Sequence, residues 1–242
     1  MCTVTFIPSG TSLYITSNRD EKTKRKSALV PKVYHYETGK ILFPQDAEAG
    51  GTWIAAHENG NVVVFLNGGF KAHVAQRLYR KSRGLILLDL IDHPTPFNGF
   101  LAINLNNIEP FTAVIRDNGH LFEALWDGKV KHHKELDPDH PMIWSSVTLY
   151  NEEIIGKRNS WFQKWISANP DPGQSDIIHF HRFTGEGDAF NDLTMNRNNE
   201  MRTVSITSTE ISGKHIGMQY IDLASDQIYS EQLSFDGSTV KW

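Results

Sequence analysis

The chain has 242 residues and a formal net charge of −4 at pH 7, so it can bury a substantial core and lacks the basic excess of a nucleic-acid binder. Lys and Arg cluster only in KTKRK at 22–26, which reads as a solvated loop. One cysteine excludes an internal disulfide and gives no basis for a cysteine-built metal site. The N-terminus has no charged region followed by an apolar stretch, and the most apolar run, 85–91, is short and carries Asp89. Neither a signal peptide nor a membrane span is expected, and a cytoplasmic location is the default.

In chain order, residues 2–7 and 12–17 are rich in β-branched and aromatic side chains, with Pro8, Ser9 and Gly10 between them. This predicts an N-terminal β-hairpin. Cys2 opens its first strand; Asn18, Arg19 and Asp20 close its second. A long polar connection is expected to about residue 50. Residues 50–57 and 61–69 then form a second hairpin turned at Glu58, Asn59 and Gly60. Its second strand is apolar throughout, as suits a sheet covered on both faces.

Residues 83–92 read as a buried helix stopped by Pro94 and Pro96. Strands are expected near 98–104, 111–117, 120–126 and 142–149. An amphipathic helix covers 151–168, with Asn151 placed to cap it, and a short helix covers 174–182. The last third alternates again at 202–211, 215–224 and 227–235. Without repeats or a linker, the simplest account is one α+β domain over 1–242.

The position of Cys2 carries the chemistry. Removal of Met1 would leave a thiol and a free α-amine on one residue, a nucleophile and a base together. The alternative is a small apolar strand residue. Antiparallel pairing brings the start of one strand beside the end of the next, so the hairpin sets Cys2 near the segment from Asn18 to Glu21. That segment on its own reads equally as a salt-bridged turn. Asn67 before Gly68 could be an ordinary turn, Asn151 only a helix cap, and Arg202 an exposed strand end. The pairs His132–His133 and His179–His181 lack the spacing of a zinc site, and no glycine-rich phosphate loop is present.

The MCT start, the N-R-D-E run at 18–21, and GGTW at 50–53 followed by an apolar strand ending in Asn67 resemble the NRDE family, also called transport and Golgi organisation protein 2-like. The resemblance is most specific in the first seventy residues. More distantly the layout is similar to cysteine N-terminal-nucleophile hydrolases such as bile-salt hydrolases and penicillin V acylases. It implies a four-layer αββα sandwich of two antiparallel sheets. It also implies Cys2 as nucleophile, Arg19 and Asp20 as the pair beside it, Asn67 and Asn151 as oxyanion donors, and Arg202 on a late strand facing the nucleophile. Met201-Arg202-Thr203 departs from the Gly-Thr-Arg-like run usual in the family. The implied activity is hydrolysis of an amide C–N bond in a small acyl-amide or peptide, without cofactor or metal. The alternative is a non-catalytic protein on the same scaffold that binds haem or another small ligand in trafficking.

Overall fold

The structure, a computed structural model, describes residues 3–74, 76 and 78–234. The N-terminal hairpin forms as expected: β1 (Thr3–Ser9) and β2 (Ser12–Lys22) pair antiparallel, with Thr3 opposite Asn18. β2 runs further than its β-branched core and includes the whole N-R-D-E run. On its other side it pairs with β12 (Met201–Ser212) from Ser12↔Ser212 to Lys22↔Met201. The register slips between Thr203 and Ser205, leaving Val204 as an extra residue opposite Arg19 and Asp20. Such a bulge re-aims side chains and increases twist. β13 (His215–Asp222) and β14 (Gln227–Ser234) extend this sheet on one side, and β10 (Met142–Ser145) joins β1 on the other. The short β11 (Asn196–Arg197) pairs with β12.

The second sheet is a meander. Its order is β3 (Leu29–Tyr36), β4 (Gly39–Gln45), β5 (Ile54–His57), β6 (Val62–Asn67), β7 (Phe111–Asp117), β8 (His120–Trp126) and β9 (Lys131–Leu136). Two parts of it depart from the sequence reading. The expected connection from 22 to 50 contains the β3–β4 hairpin, because LVPKVYHY has only one buried residue and looks polar in sequence. β9, KHHKEL, is an edge strand of almost wholly polar composition, held by its ladder to β8. Edge strands tolerate charge, which also discourages further pairing.

Among the described residues four helices cover the outer faces. α1 (Arg83–Ile91) is capped by Ser82, whose side chain accepts from Leu85 N–H. α2 (Pro96–Ala102) replaces the expected strand at 98–104. Its aromatic residues suit a strand, but Pro96 at the first turn presets the helical φ and has no N–H to leave unpaired. α3 (Glu152–Ala168) and α4 (Gln174–Phe183) lie where helices are expected. The strand expected at 142–149 is shorter, ending at Ser145.

Three apolar layers result. Val4, Phe6, Leu13 and Ile15 of the first sheet meet Leu42, Ile54, Val64 and Leu66 of the second. Phe43, Phe65 and Phe111 pack outward under α1 and α2. Ile7 and Tyr14 pack outward with Phe162 of α3 and Phe180 of α4. The α+β class and the four-layer αββα order are therefore as expected. Strand alternation makes each sheet bury both faces, and this puts Arg19 and Asp20 on opposite sides of β2. No helix among the described residues is long and apolar enough to cross a membrane.

Candidate active site

Arg19 follows Leu13 and Ile15 on the face of β2 turned toward the second sheet. It is buried, and its Nη2 lies 2.8 Å from Asp46 Oδ2 and 3.6 Å from Glu21. Its guanidinium sits 4.7 Å from the centre of the Trp53 ring, a cation–π contact. Asp46 is the hub: Arg25 Nε donates to Oδ2 at 2.8 Å and Arg25 Nη2 to Oδ1 at 2.9 Å. The amides of Glu48 and Ala49 also donate to Oδ1. Burial opposes its ionisation, but Arg25, the Ala49 amide and Arg19 outweigh that and hold its pKa down to about 2.

The GGTW segment builds the floor. Gly51-Thr52 passes so close to Gly84 that a side chain at Gly51 would collide with the Gly84 backbone, and one at Gly84 with the Thr52 backbone. Thr52 N–H donates to Gly84 carbonyl at 3.2 Å, and Asp46 N–H to Gly51 carbonyl at 2.8 Å. The glycines thus bring the start of α1 against the Asp46 turn. A cleft of about 390 Å³ opens there; Arg19, Arg25, Trp53, Asn67, Tyr79 and Arg83 are among its walls. Asn67 ends β6, and among the described residues its side-chain amide has no partner. Its carbonyl accepts from Ser146 Oγ at 2.8 Å. Gly68, at φ +88°, follows; a Cβ there would strike Val147 and Thr148.

Asp20 faces the helices instead. Tyr150 donates its hydroxyl to Oδ2 at 2.7 Å and Thr203 to Oδ1 at 2.6 Å. Tyr150 is stacked under Arg158, whose guanidinium lies 3.5 Å from the ring centre. Arg158 is fully buried and donates to Thr3 Oγ1 and to the carbonyls of Asn191 and Asp192. Beside it, Asn18 gives its amide hydrogens to the His181 and Leu193 carbonyls and accepts from His181 Nδ1 at 2.6 Å. With Asn18 Oδ1 an acceptor, His181 must carry its proton on Nδ1, leaving Nε2 to accept from Thr5 at 2.8 Å. Burial, and then the charge of Arg158, push the His181 pKa down to about 3.

The residues picked from sequence therefore separate. Arg19 and Asn67 share the cleft. Asp20 belongs to the network behind it. Asn151 is exposed and caps α3, accepting from Ile154 N–H at 3.0 Å. Arg202 pairs in register with Glu21 and lines a smaller groove that also touches Arg19 and Arg25. Cys2 lies outside the described residues. Sequence reasoning passed over Asp46, which sits in the stretch read as loop, and Tyr150 and Arg158, which carry no motif; it weighed His181 only as half of a pair without zinc spacing. The only available signal was an aspartate four residues before the quoted Gly50-Gly51. Among the described residues no group of three or more His, Cys, Asp or Glu is arranged to hold a metal ion.

Comparison with solved structures finds this fold in enzymes. Two forms of the conjugated bile acid hydrolase from Clostridium perfringens, a cysteine-to-alanine mutant and an arginine-to-leucine variant, each match with a TM-score of 0.63. They are 10% and 11% identical, and each match covers 100% of this chain and 97% of the other. An N-acylethanolamine-hydrolyzing acid amidase ortholog from Caenorhabditis elegans matches with a TM-score of 0.59 and 10% identity, over 86% of this chain and 92% of the other. At such identity the likeness shows the N-terminal-nucleophile hydrolase fold alone. A search of curated proteins gives no significant match. The family model Transport and Golgi organisation 2 matches residues 1–170, the greater part of the sequence, and the chain belongs to that family.

Proposed function

We propose that the protein is an N-terminal-cysteine amidohydrolase, with residues 1–242 acting as one domain and Cys2, exposed by removal of Met1, as nucleophile. One observation carries this reading. Thr3 pairs with Asn18 on one side and with Ser145 on the other, so β1 opens beside the N-R-D-E run, and Arg19 of that run shares one cleft with Asn67. In this proposal Arg19 and Asn67 are the polar groups that serve the Cys2 thiol.

In the proposed reaction the Cys2 thiolate, favoured by the nearby guanidinium, attacks the amide carbonyl carbon. A C–S bond forms and the carbonyl π pair moves to oxygen. Asn67 Nδ2 donates to that oxyanion. Collapse breaks the C–N bond, and the Cys2 α-ammonium gives its proton to the leaving nitrogen. Water then attacks the thioester with the α-amine as base, releasing the carboxylic acid and restoring the thiol. Asp20 is a positioning residue in this scheme, acting through β2. Asn151 and Arg202 carry no step; any role for them rests on the resemblance.

The bile acid hydrolase and the acid amidase named above act on amides of small molecules, which supports an acyl-amide as substrate class. The test uses native protein whose N-terminus is read by mass spectrometry. A panel of acyl-amides should leave an acyl adduct on Cys2, with turnover lost in Cys2→Ala. Retained Met1, or equal activity in Cys2→Ala, would overturn the proposal.

A further inference from the structure

We propose that the corner formed by the β6–α1 connection and its neighbours is a docking surface for anionic lipid bilayers. Its apolar side chains stand in water: Phe70 is 61% exposed, Val74 93%, Leu78 80%, Leu101 44% and Val130 55%. These are half of the large apolar side chains exposed among the described residues, and they are gathered rather than scattered. Phe70 lies edge-on to His132 at 4.8 Å. Lys131 Nζ bonds the carbonyls of Leu101 and Ile103. Val74 lines one hollow with Asn107 and Lys129. Exposed apolar side chains gathered in this way mark a contact with something other than water.

Several polar groups of the same segment hold it in place. Arg80 donates to the carbonyls of Asn104 and Asn106, and its amide to Asn107. His73 and Arg83 both reach Glu109. Water alone would select the reverse, with apolar side chains against the body and polar ones outward.

Charge identifies the occupant. No acidic residue occurs between Glu58 and Asp89. The nearby carboxylates are already engaged: Asp89 by Lys81, Glu109 by Arg83, and Asp127 by His132 and the amides of Lys129 and Val130. Lys71 and Lys129 are exposed and have no carboxylate partner among the described residues, while Arg80 and Lys131 hold only neutral carbonyls. Exposed apolar side chains inside a rim of uncompensated cations match the interface of a bilayer with anionic headgroups. A second copy of the chain would bring the same cations face to face. Tyr79 and Lys81 of this connection also wall the Arg19 cleft, so docking would set the cleft mouth near the lipid. The docking itself does not depend on catalysis.

The test is flotation of the purified full chain with vesicles of phosphatidylcholine alone or with about 30 mol% phosphatidylserine. Binding should require the anionic lipid and weaken with salt. The variant Phe70→Ser/Val74→Ser/Leu78→Ser should bind at least about tenfold more weakly with an unchanged melting temperature. Ile228→Ser, an exposed apolar site elsewhere, should bind like the parent. Lys71→Glu/Lys129→Glu should lose the preference for anionic lipid. Failure to float with either vesicle, or undiminished binding by the triple-serine variant, would overturn the proposal. So would concentration-dependent self-association, without vesicle binding, that the triple-serine variant abolishes.

Discussion

The two faces of β2 bury polar groups by opposite means. Toward the second sheet, Arg19 is matched by Asp46, which keeps its charge with a pKa near 2. Toward α3 and α4, Asn18, His181 and Thr5 form a neutral chain in which the three side chains are bonded to one another, and His181 is held uncharged down to about pH 3. The charged face borders the open cleft; the neutral face is sealed. A charge that must meet a substrate needs a counter-ion able to share it. A network that only fixes strand position is best without charge, since an unpaired buried ion costs several kcal/mol. Two ionisable groups are exceptions on that side: Asp20, which accepts from Tyr150 and Thr203, and Arg158. Arg158 is buried over Tyr150 and bonded to carbonyls, and its charge helps keep His181 neutral.

The largest effect that would break this contrast is the pH response of His181. Its folded pKa of about 3 lies below the ordinary 6.5, so the unfolded chain takes up the proton first. The stabilisation is complete above pH 6.5, declines as pH falls, and is exhausted near pH 3. Between pH 7 and 4 this amounts to about 3 kcal/mol. Urea titrations at pH 7 and 4 should show that slope in the parent protein and a much flatter one in His181→Gln. An equal slope in both would mean that His181 is not the neutral pin described.

The charged face should respond in a different window. Asp46 has its pKa lowered from 3.8 to about 2, so its contribution is present above pH 4 and is lost as pH falls toward 2. At neutral pH it is on the order of 2 kcal/mol. Asp46→Asn should cost about that much at pH 7, and the cost should shrink below pH 3. It should also slow amide turnover by freeing the Arg19 guanidinium from its place, whereas His181→Gln should leave turnover per folded molecule unchanged. A turnover loss from His181→Gln larger than that from Asp46→Asn would reverse the assignment of the two faces.

Much of this was legible in the residues, and the gaps have physical causes. The N-terminal hairpin, β7, β8 and the long α3 were readable because their periodicity is set by burial. β3 and β9 were not, because an edge strand makes its ladder with backbone groups and can carry any side chain. α2 was missed because Phe97–Leu101 have strand-like composition, while Pro96 alone sets the helix. In the site, the hairpin register was enough to bring the N-R-D-E run beside the first strand. It could not reveal which partners Arg19 and Asp20 meet on their opposite faces, since Asp46, Tyr150 and Thr203 arrive from distant parts of the chain. Asp46 in particular is recruited by the Gly51–Gly84 contact, which only the folded backbone displays.

The smallest effect concerns Asn151, whose two readings call for opposite atoms of one amide. As a helix cap it uses its oxygen, which accepts from Ile154 N–H; as an oxyanion donor it would use its nitrogen. Asn151→Ala removes both and should cost about 1 kcal/mol of stability. Asn151→Asp keeps the accepting oxygen and places a negative charge at the start of α3, so stability should be retained or rise by a few tenths of a kcal/mol. The aspartate cannot donate. Because Asn151 is exposed and its amide is oriented by the cap, turnover of Asn151→Asp should equal that of the parent, while Asn67→Asp should fall by about a hundredfold or more. A comparable fall in Asn151→Asp at unchanged stability would place its nitrogen at the reacting carbonyl and extend the site beyond the charged face of β2.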